Sequence, residues 1–515
     1  MAEIAIAAPR AAPGRFTYGA KIAAGAALVV LADQLFFFAN EAGATLAIFA
    51  FALLLGLLFI LKPLRRARGA CVAAAAALLF VVALADDPSL LALALFWLCA
   101  SLTVLLPRAG GFDNAWRWTL RLAAHACRTL LAPIGDARRL RAARRRGGRS
   151  RLAAQLPSLW LPFLGTGLFF TLFAIANPLI ANTLARLDLA ALLAAISFTR
   201  IGFWLFMAAL LWPLFRPRLL RLSPAAERDP DRLLPGFSLG SVTLSLFAFN
   251  AVFALQNGLD LAFLWSGAPL PEGMTLAGYA HRGAYPLIAT ALLAGLFVLV
   301  TLRPGSALAA QPAIRRLVYL WISQNVLLVA STILRTLDYV DAYSLTRLRI
   351  AALIWMALVA VGLVLICWRI RRGRSGAWLI NANAAAALLT LAACSFVDLG
   401  GIAAAWNVRH ADETGGAGAR LDLCYLNALD ASALLPLIDL ESRPLPSALR
   451  ERTIWLRNLA MDRLEQRQRD WRAWTWRGAR RLDAARALVT ARHLPRFTAG
   501  RRACDGSALT EAPAR

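Results

Sequence analysis

"IAALIWMALVAVGLVLICW", residues 350–368, runs nineteen positions without a charge, and "RIRRGR", 369–374, follows it at once. A helix needs about 20 apolar residues to cross the hydrocarbon core of a bilayer. A cluster of arginines at one end is what a span leaves on its cytoplasmic side. This stretch therefore reads as a transmembrane helix with a polarity, and the rest of the chain repeats the pattern.

Eleven runs fit the same template: 20–38, 44–61, 70–85, 88–106, 158–180, 189–214, 238–266, 283–302, 314–335, 350–368 and 376–406. Hydrophobic residues make up 59% of the chain and charged residues 17%, with a mean hydropathy of +0.60. Barrel strands would alternate over about 10 residues, and these runs do not. The predicted class is all-α: a polytopic transmembrane bundle of about eleven spans with a small helical C-terminal tail outside the membrane. The organisation is an N-terminal segment (1–19), four spans (20–106), a basic segment (107–157), seven spans (158–406) and a polar tail (407–515).

The net charge of +27 is carried almost wholly by arginine, since Lys21 and Lys62 are the only lysines. On a soluble domain that charge would suggest nucleic acid, but here its distribution matters more. With the N-terminus placed in the cytoplasm, the inner segments hold 31 basic residues and the outer loops five. The expectation is a bacterial inner-membrane protein with a cytoplasmic N-terminus. Eleven spans place the tail in the periplasm.

Basic stretches get a lipid reading rather than a nucleic-acid one. "RRLRAARRRGGRSR" (138–151) holds eight arginines and is expected to sit against anionic lipid headgroups. Upstream, "WRWTLRLAAHACRTLL" (116–131) has the arginine spacing of an amphipathic surface helix, with His125 as a surface histidine. No partner beyond the bilayer and its headgroups is implied, and no nucleic acid.

Polar residues inside apolar spans cost free energy and seek partners or a cavity. Arg200 falls near the middle of the sixth run and Asp33 within the first. Asn250, Asn257 and Asp260 lie seven and three apart in the seventh, on one helix face. Gln324, Arg335 and Asp338 form a stripe in the ninth, and Asp398 lies near the end of the eleventh. With Arg282 of "YAHRGAYPLI" (279–288), these ten residues are the candidate polar cluster. Most fall toward the outer leaflet. They would line an outward-facing cavity or serve as interhelical fasteners.

Several classes lack their signatures. HExxH, CxxC, Walker A, Rossmann and GxSxG patterns are absent. No cofactor and no metal site is implied. In a periplasmic tail, Cys424 and Cys504 would be free to pair. Ser447 can cap a long amphipathic helix in the tail. Trp471, Trp474 and Trp476 would pack inside a small helical domain or rest at the membrane interface.

Five stretches carry a family resemblance: "LADQLFF" (31–37), "ISFTRIGFWLF" (196–206), "FNAVFALQNGLDLAFLWSG" (249–267), "YAHRGAYPLIA" (279–289) and "LDLCYLNALDASALLPL" (421–437). They resemble a family of uncharacterised bacterial multi-pass membrane proteins, a domain of unknown function with a Tyr-Ala-x-x-Gly motif. The resemblance implies an inner-membrane location and no reaction. Function is therefore read from the residues alone. A non-enzymatic transporter-like or sensor/scaffold protein is favoured, because no nucleophile–base constellation can be assembled. The alternative is an integral-membrane enzyme acting on a lipid-linked or cell-envelope substrate, with His281, Arg282 and an outer-leaflet carboxylate as its candidates.

Overall fold

The computed structural model describes residues 18–37, 43–61, 64, 67–127, 197–222, 238–262, 306–495 and 502–507, with shorter stretches inside 162–173 and 289–302. Within these residues the chain is helical and forms no strand. Eight helices are long and apolar enough to cross a membrane. They are α1 (Tyr18–Phe36), α3 (Arg68–Asp86), α4 (Leu90–Ala109), α5 (Phe198–Phe215), α6 (Leu239–Asp260), α7 (Pro312–Tyr343), α8 (Arg347–Arg372) and α9 (Gly376–Phe396). A shorter apolar helix, α2 (Ala44–Ile60), packs among the first of these. The chain is a helical membrane protein. In lipid every backbone N–H and C=O must be satisfied within the segment, and apolar runs of this length do so as helices.

Small residues set the closest packing. The short, alanine-rich third run forms a full helix because Ala70, Ala73, Ala74 and Ala77 are buried as α3 packs on α2 and α4. A second packing group joins α6, α7 and α8 through Val242, Leu246, Val318, Trp321, Ile322 and Leu363. Helix α9 touches α3 and α4 on one side and α8 on the other, and so links the groups.

Helix directions follow from the contacts. Tyr18 at the start of α1 meets Trp212 at the end of α5, so these two run antiparallel. Asn250 and Asp260 of α6 meet Gln324 and Arg335 of α7 in the same order, so that pair is parallel. Parallel neighbours need a crossing between them. The described residues of 289–302 lie there, with Ala294, Val298 and Leu302 in the same packing group.

Two expected spans change shape. The ninth run, expected at 314–335, extends to Tyr343 as the 32-residue α7, about 48 Å long at 1.5 Å per residue, and so reaches past the hydrocarbon core. The eleventh, expected at 376–406, is two helices. Val397 is extended, and Asp398 caps a new helix, α10 (Leu399–His410), by accepting from the Gly401 N–H at 2.9 Å. Most of the run 158–180 lies outside the described residues, as do 189–196 and the basic stretch 138–151.

Helix α10 opens a compact C-terminal domain with α11 (Leu423–Ala428), α12 (Leu434–Glu441), α13 (Ser447–Arg469) and α14 (Trp476–Ala491). Its interior is built on Ala404, Leu426, Leu434, Leu437, Ile438, Leu456 and Leu464. Arg457, fully buried, donates to Glu441 at 3.0 Å and to the Pro495 carbonyl at 2.7 Å. Cys424 and Cys504 form a disulfide. Ser447 does not cap α13. It is the first helical residue, and the Pro446 carbonyl accepts from Arg450 instead.

This domain sits as a cap on one end of the bundle. The chain at 43–45, 86–87, 345–347 and 396–398 meets it. The arginine-rich end of α8, with Arg369, Arg371 and Arg372, and the end of α4, with Arg108, point to the opposite end. There the helix at 115–127 docks: Ala115 donates to Asn381 of α9 at 2.7 Å and Arg117 to the Leu222 carbonyl at 2.8 Å. That helix does not lie free on a surface. Trp118 is buried, and His125, expected exposed, is only 6% exposed.

Candidate functional site

The nine described residues of the candidate cluster do not meet in one cavity. The structure divides those it describes among three places; Arg282 and His281 lie outside the described residues.

The first is the α1–α5 contact. Arg200 donates from Nε to Asp33 Oδ1 at 2.8 Å and from Nη2 to Asp33 Oδ2. Trp204, one turn on, donates its indole N–H to the same carboxylate at 2.8 Å. Arg200 was expected mid-span. It lies in the first turn of α5, because Ser197 accepts its backbone N–H at 3.2 Å and starts the helix there. An arginine at a helix end can keep part of its head in the polar layer, and its side chain is 34% exposed. Trp204 was not singled out from sequence; its i+4 spacing from Arg200 is the signal that was there to use.

The second is the α6–α7 seam. Gln324 donates to Asn250 at 2.9 Å, and Asn250 donates to the Leu317 carbonyl at 3.1 Å. Asn257 donates to the Gln324 carbonyl at 3.2 Å. Arg335 forms a buried ion pair with Asp260, which also accepts from Gln256 at 3.0 Å. The two stripes read from spacing thus face each other. Asp338 lies exposed on α7, three residues past Arg335.

The third is the junction of bundle and cap, and it takes Asp398. Besides capping α10, Asp398 accepts from the Ser432 hydroxyl at 3.0 Å and pairs with Arg481 of α14. Arg477 reaches Asp86 at 2.6 Å, Asp87 at 2.9 Å and the Phe396 carbonyl at 2.9 Å. Arg480 adds a bond to Asp86 at 2.7 Å. None of these arginines, nor Asp86 and Asp87, was singled out from sequence. The available signal was an Asp-Asp pair ending one span and an arginine-rich helix in the tail.

Electrostatics at the junction are mixed. Burial pushes the Asp398 carboxyl up, but the Gly401 N–H, Arg481, Ser432 and Arg477 outweigh it and hold the group below the usual aspartate range. Burial wins at Asp87 and raises it, with Asp398 and Asp86 adding to the rise against Arg477 and Arg481. Burial lowers Arg481.

Backbone contacts complete the junction. Ala44 donates to the Trp474 carbonyl at 2.7 Å, and a Cβ on Gly43 would come within 2.4 Å of the Arg472 and Ala473 backbone. This close approach requires glycine. Trp471, Trp474 and Trp476, for which packing inside the domain was preferred, are exposed beside this contact. The cap's apolar interior is already filled by leucines, so the rings stand where the span ends begin. Among the described residues no three His, Cys, Asp or Glu side chains gather as a metal set.

A family profile for a domain of unknown function matches residues 70–440. The chain belongs to that family, DUF4153. The match takes in four of the five stretches that carried the resemblance and leaves out 31–37. It holds Asp86, Asp87 and Asp398 of the DUF4153 junction, while Arg477, Arg480 and Arg481 follow its end. No curated protein and no solved structure matches the chain.

Proposed function

We propose that this DUF4153 protein is a non-enzymatic inner-membrane sensor or scaffold whose working surface is the cap. The observation that carries this reading is the junction itself. Asp86, Asp87 and Asp398 at two span ends are held by Arg477, Arg480 and Arg481 on one face of α14. A domain fixed to several spans at once can pass a change at its surface into helix positions. The polar residues of the spans fit the same reading. Asp33 with Arg200 and Asp260 with Arg335 act as fasteners between helices, as such contacts commonly do.

The orientation that suits this role has the arginine-rich end in the cytoplasm and the cap in the periplasm. Two independent features support it: the charge bias of the loops, and a disulfide in the domain at the far end, since disulfides persist in oxidising compartments. Labelling an introduced cap cysteine in intact cells with a membrane-impermeant maleimide tests the orientation; labelling only after lysis reverses it.

The role is tested by complementing a deletion strain that shows an envelope-stress phenotype. Asp260→Asn with Arg335→Gln should complement if the seam is a fastener. Arg477→Glu with Arg481→Glu, confirmed to insert, should not. The opposite pattern, with solute uptake lost in the seam variant, would favour a transporter.

A further inference from the structure

At the end of the bundle opposite the cap, a cavity of about 240 Å³ opens between the end of the 289–302 stretch, the start of α7 and the end of α8. Its wall holds Ser306, Arg315, Arg369 and Arg374, with Leu302, Ala309 and Ile370 among the apolar positions, and no carboxylate among the described residues. Arg369 is 2% exposed. It donates from Nη2 to the Leu302 carbonyl at 2.8 Å and from Nε to the Arg374 carbonyl at 3.3 Å. Its Nη1 is buried with no hydrogen-bond partner among the described residues. Arg315 donates from its Nε to the Ala309 carbonyl at 2.6 Å.

A buried guanidinium nitrogen left without an acceptor is costly. Three arginines on one wall without a counter-charge repel one another. Both costs are relieved by the same occupant, an anion with several acceptor oxygens. We infer that this cavity binds a phosphate group. Arg369 is the fixed donor at its base, and Arg315 and Arg374 close over it from the exposed rim. Arginine suits the task because its planar fork matches phosphate oxygens. The position points to the source. Arg369 lies three residues before the end of α8, at the depth where lipid headgroups lie, and basic pockets between spans take such headgroups. A free phosphate offers the same oxygens, so the experiment separates the two.

The full chain is purified in neutral detergent and its thermal unfolding followed with added inorganic phosphate or added phosphatidylglycerol, with phosphatidylcholine as control. The wild type should be stabilised by phosphatidylglycerol or by phosphate and not by phosphatidylcholine. In Arg315→Gln with Arg374→Gln, both at exposed positions, half-saturation should need about tenfold more ligand. Arg316→Gln, off the cavity wall, should behave as wild type. A response to phosphate alone assigns a soluble anion, and a response only to the lipid assigns a headgroup. No response to either, or a double variant that responds like wild type, overturns the inference.

Discussion

Asp398 caps the first helix of the C-terminal domain and also pairs with Arg481 of its last helix, 83 residues further on. One carboxylate thus ends the membrane bundle, begins the cap and holds the two together.

If that junction is held by charge, Arg477 is its strongest single point, since it donates to Asp86, Asp87 and the Phe396 carbonyl. Arg477→Ala should weaken cap docking by about 2 kcal/mol, the scale of lost charge-assisted hydrogen bonds. Limited proteolysis between 410 and 423 and hydrogen exchange at 43–45 would report it. Gly43→Ala should act in the same direction through backbone overlap, whereas Gly25→Ala, with open space around its Cβ, should not.

Acid should loosen the cap. Asp398 has a depressed folded-state pKa, so its contribution is present above the unfolded value of about 3.9 and is lost as pH falls through the folded value. Asp87 has a raised one, so its contribution is present below about 3.9 and is lost as pH rises through the folded value. At neutral pH, Asp398→Asn should therefore destabilise docking and Asp87→Asn should modestly stabilise it. Cap protection measured from pH 7 down to pH 3 in the three proteins checks both signs.

The Cys424–Cys504 bond closes 80 residues of chain and ties 502–507 to the domain. In the chain-entropy picture it contributes about 4 kcal/mol, an upper value when the unfolded chain keeps structure. Cys424→Ser, or reduction, should lower the unfolding temperature of the cap and leave the helicity of the spans unchanged. It should also abolish the gel-mobility difference between reduced and non-reduced protein.

The two intramembrane ion pairs should differ in strength. Asp260 and Arg335 are both buried, so Asp260→Asn strands a charge and should cost about 3–5 kcal/mol. Asp260→Leu with Arg335→Met should recover most of that. Arg200 is a third exposed at a helix end, and Trp204 still donates to Asp33 without it, so Arg200→Gln should cost less than Asp260→Asn. Reversible unfolding in mixed micelles would rank the variants.

Much of this architecture was written in local sequence. Length and continuity of apolar runs predicted helices at every described span, because a span satisfies its backbone without any other part of the chain. Spacing placed Asn250, Asn257 and Asp260 on one face and Gln324 and Arg335 on another, because helical periodicity is local. What spacing could not do was say which stripe faces which helix. Asp33, Asp260 and Asp398 look alike as acids near span ends, yet each has a different arginine partner, 167, 75 and 83 residues away.

Boundaries marked the limit. A Ser197 cap moved Arg200 from mid-span to a helix start, and an Asp398 cap cut one apolar run into a span and a cap helix. Hydropathy is blind to both, since each break is made by one side-chain oxygen and one backbone N–H. The sequence by itself determined a helical membrane bundle. Only the tertiary structure decided that the tail docks on one end of it, because ion pairs between distant segments depend on packing that no local pattern encodes.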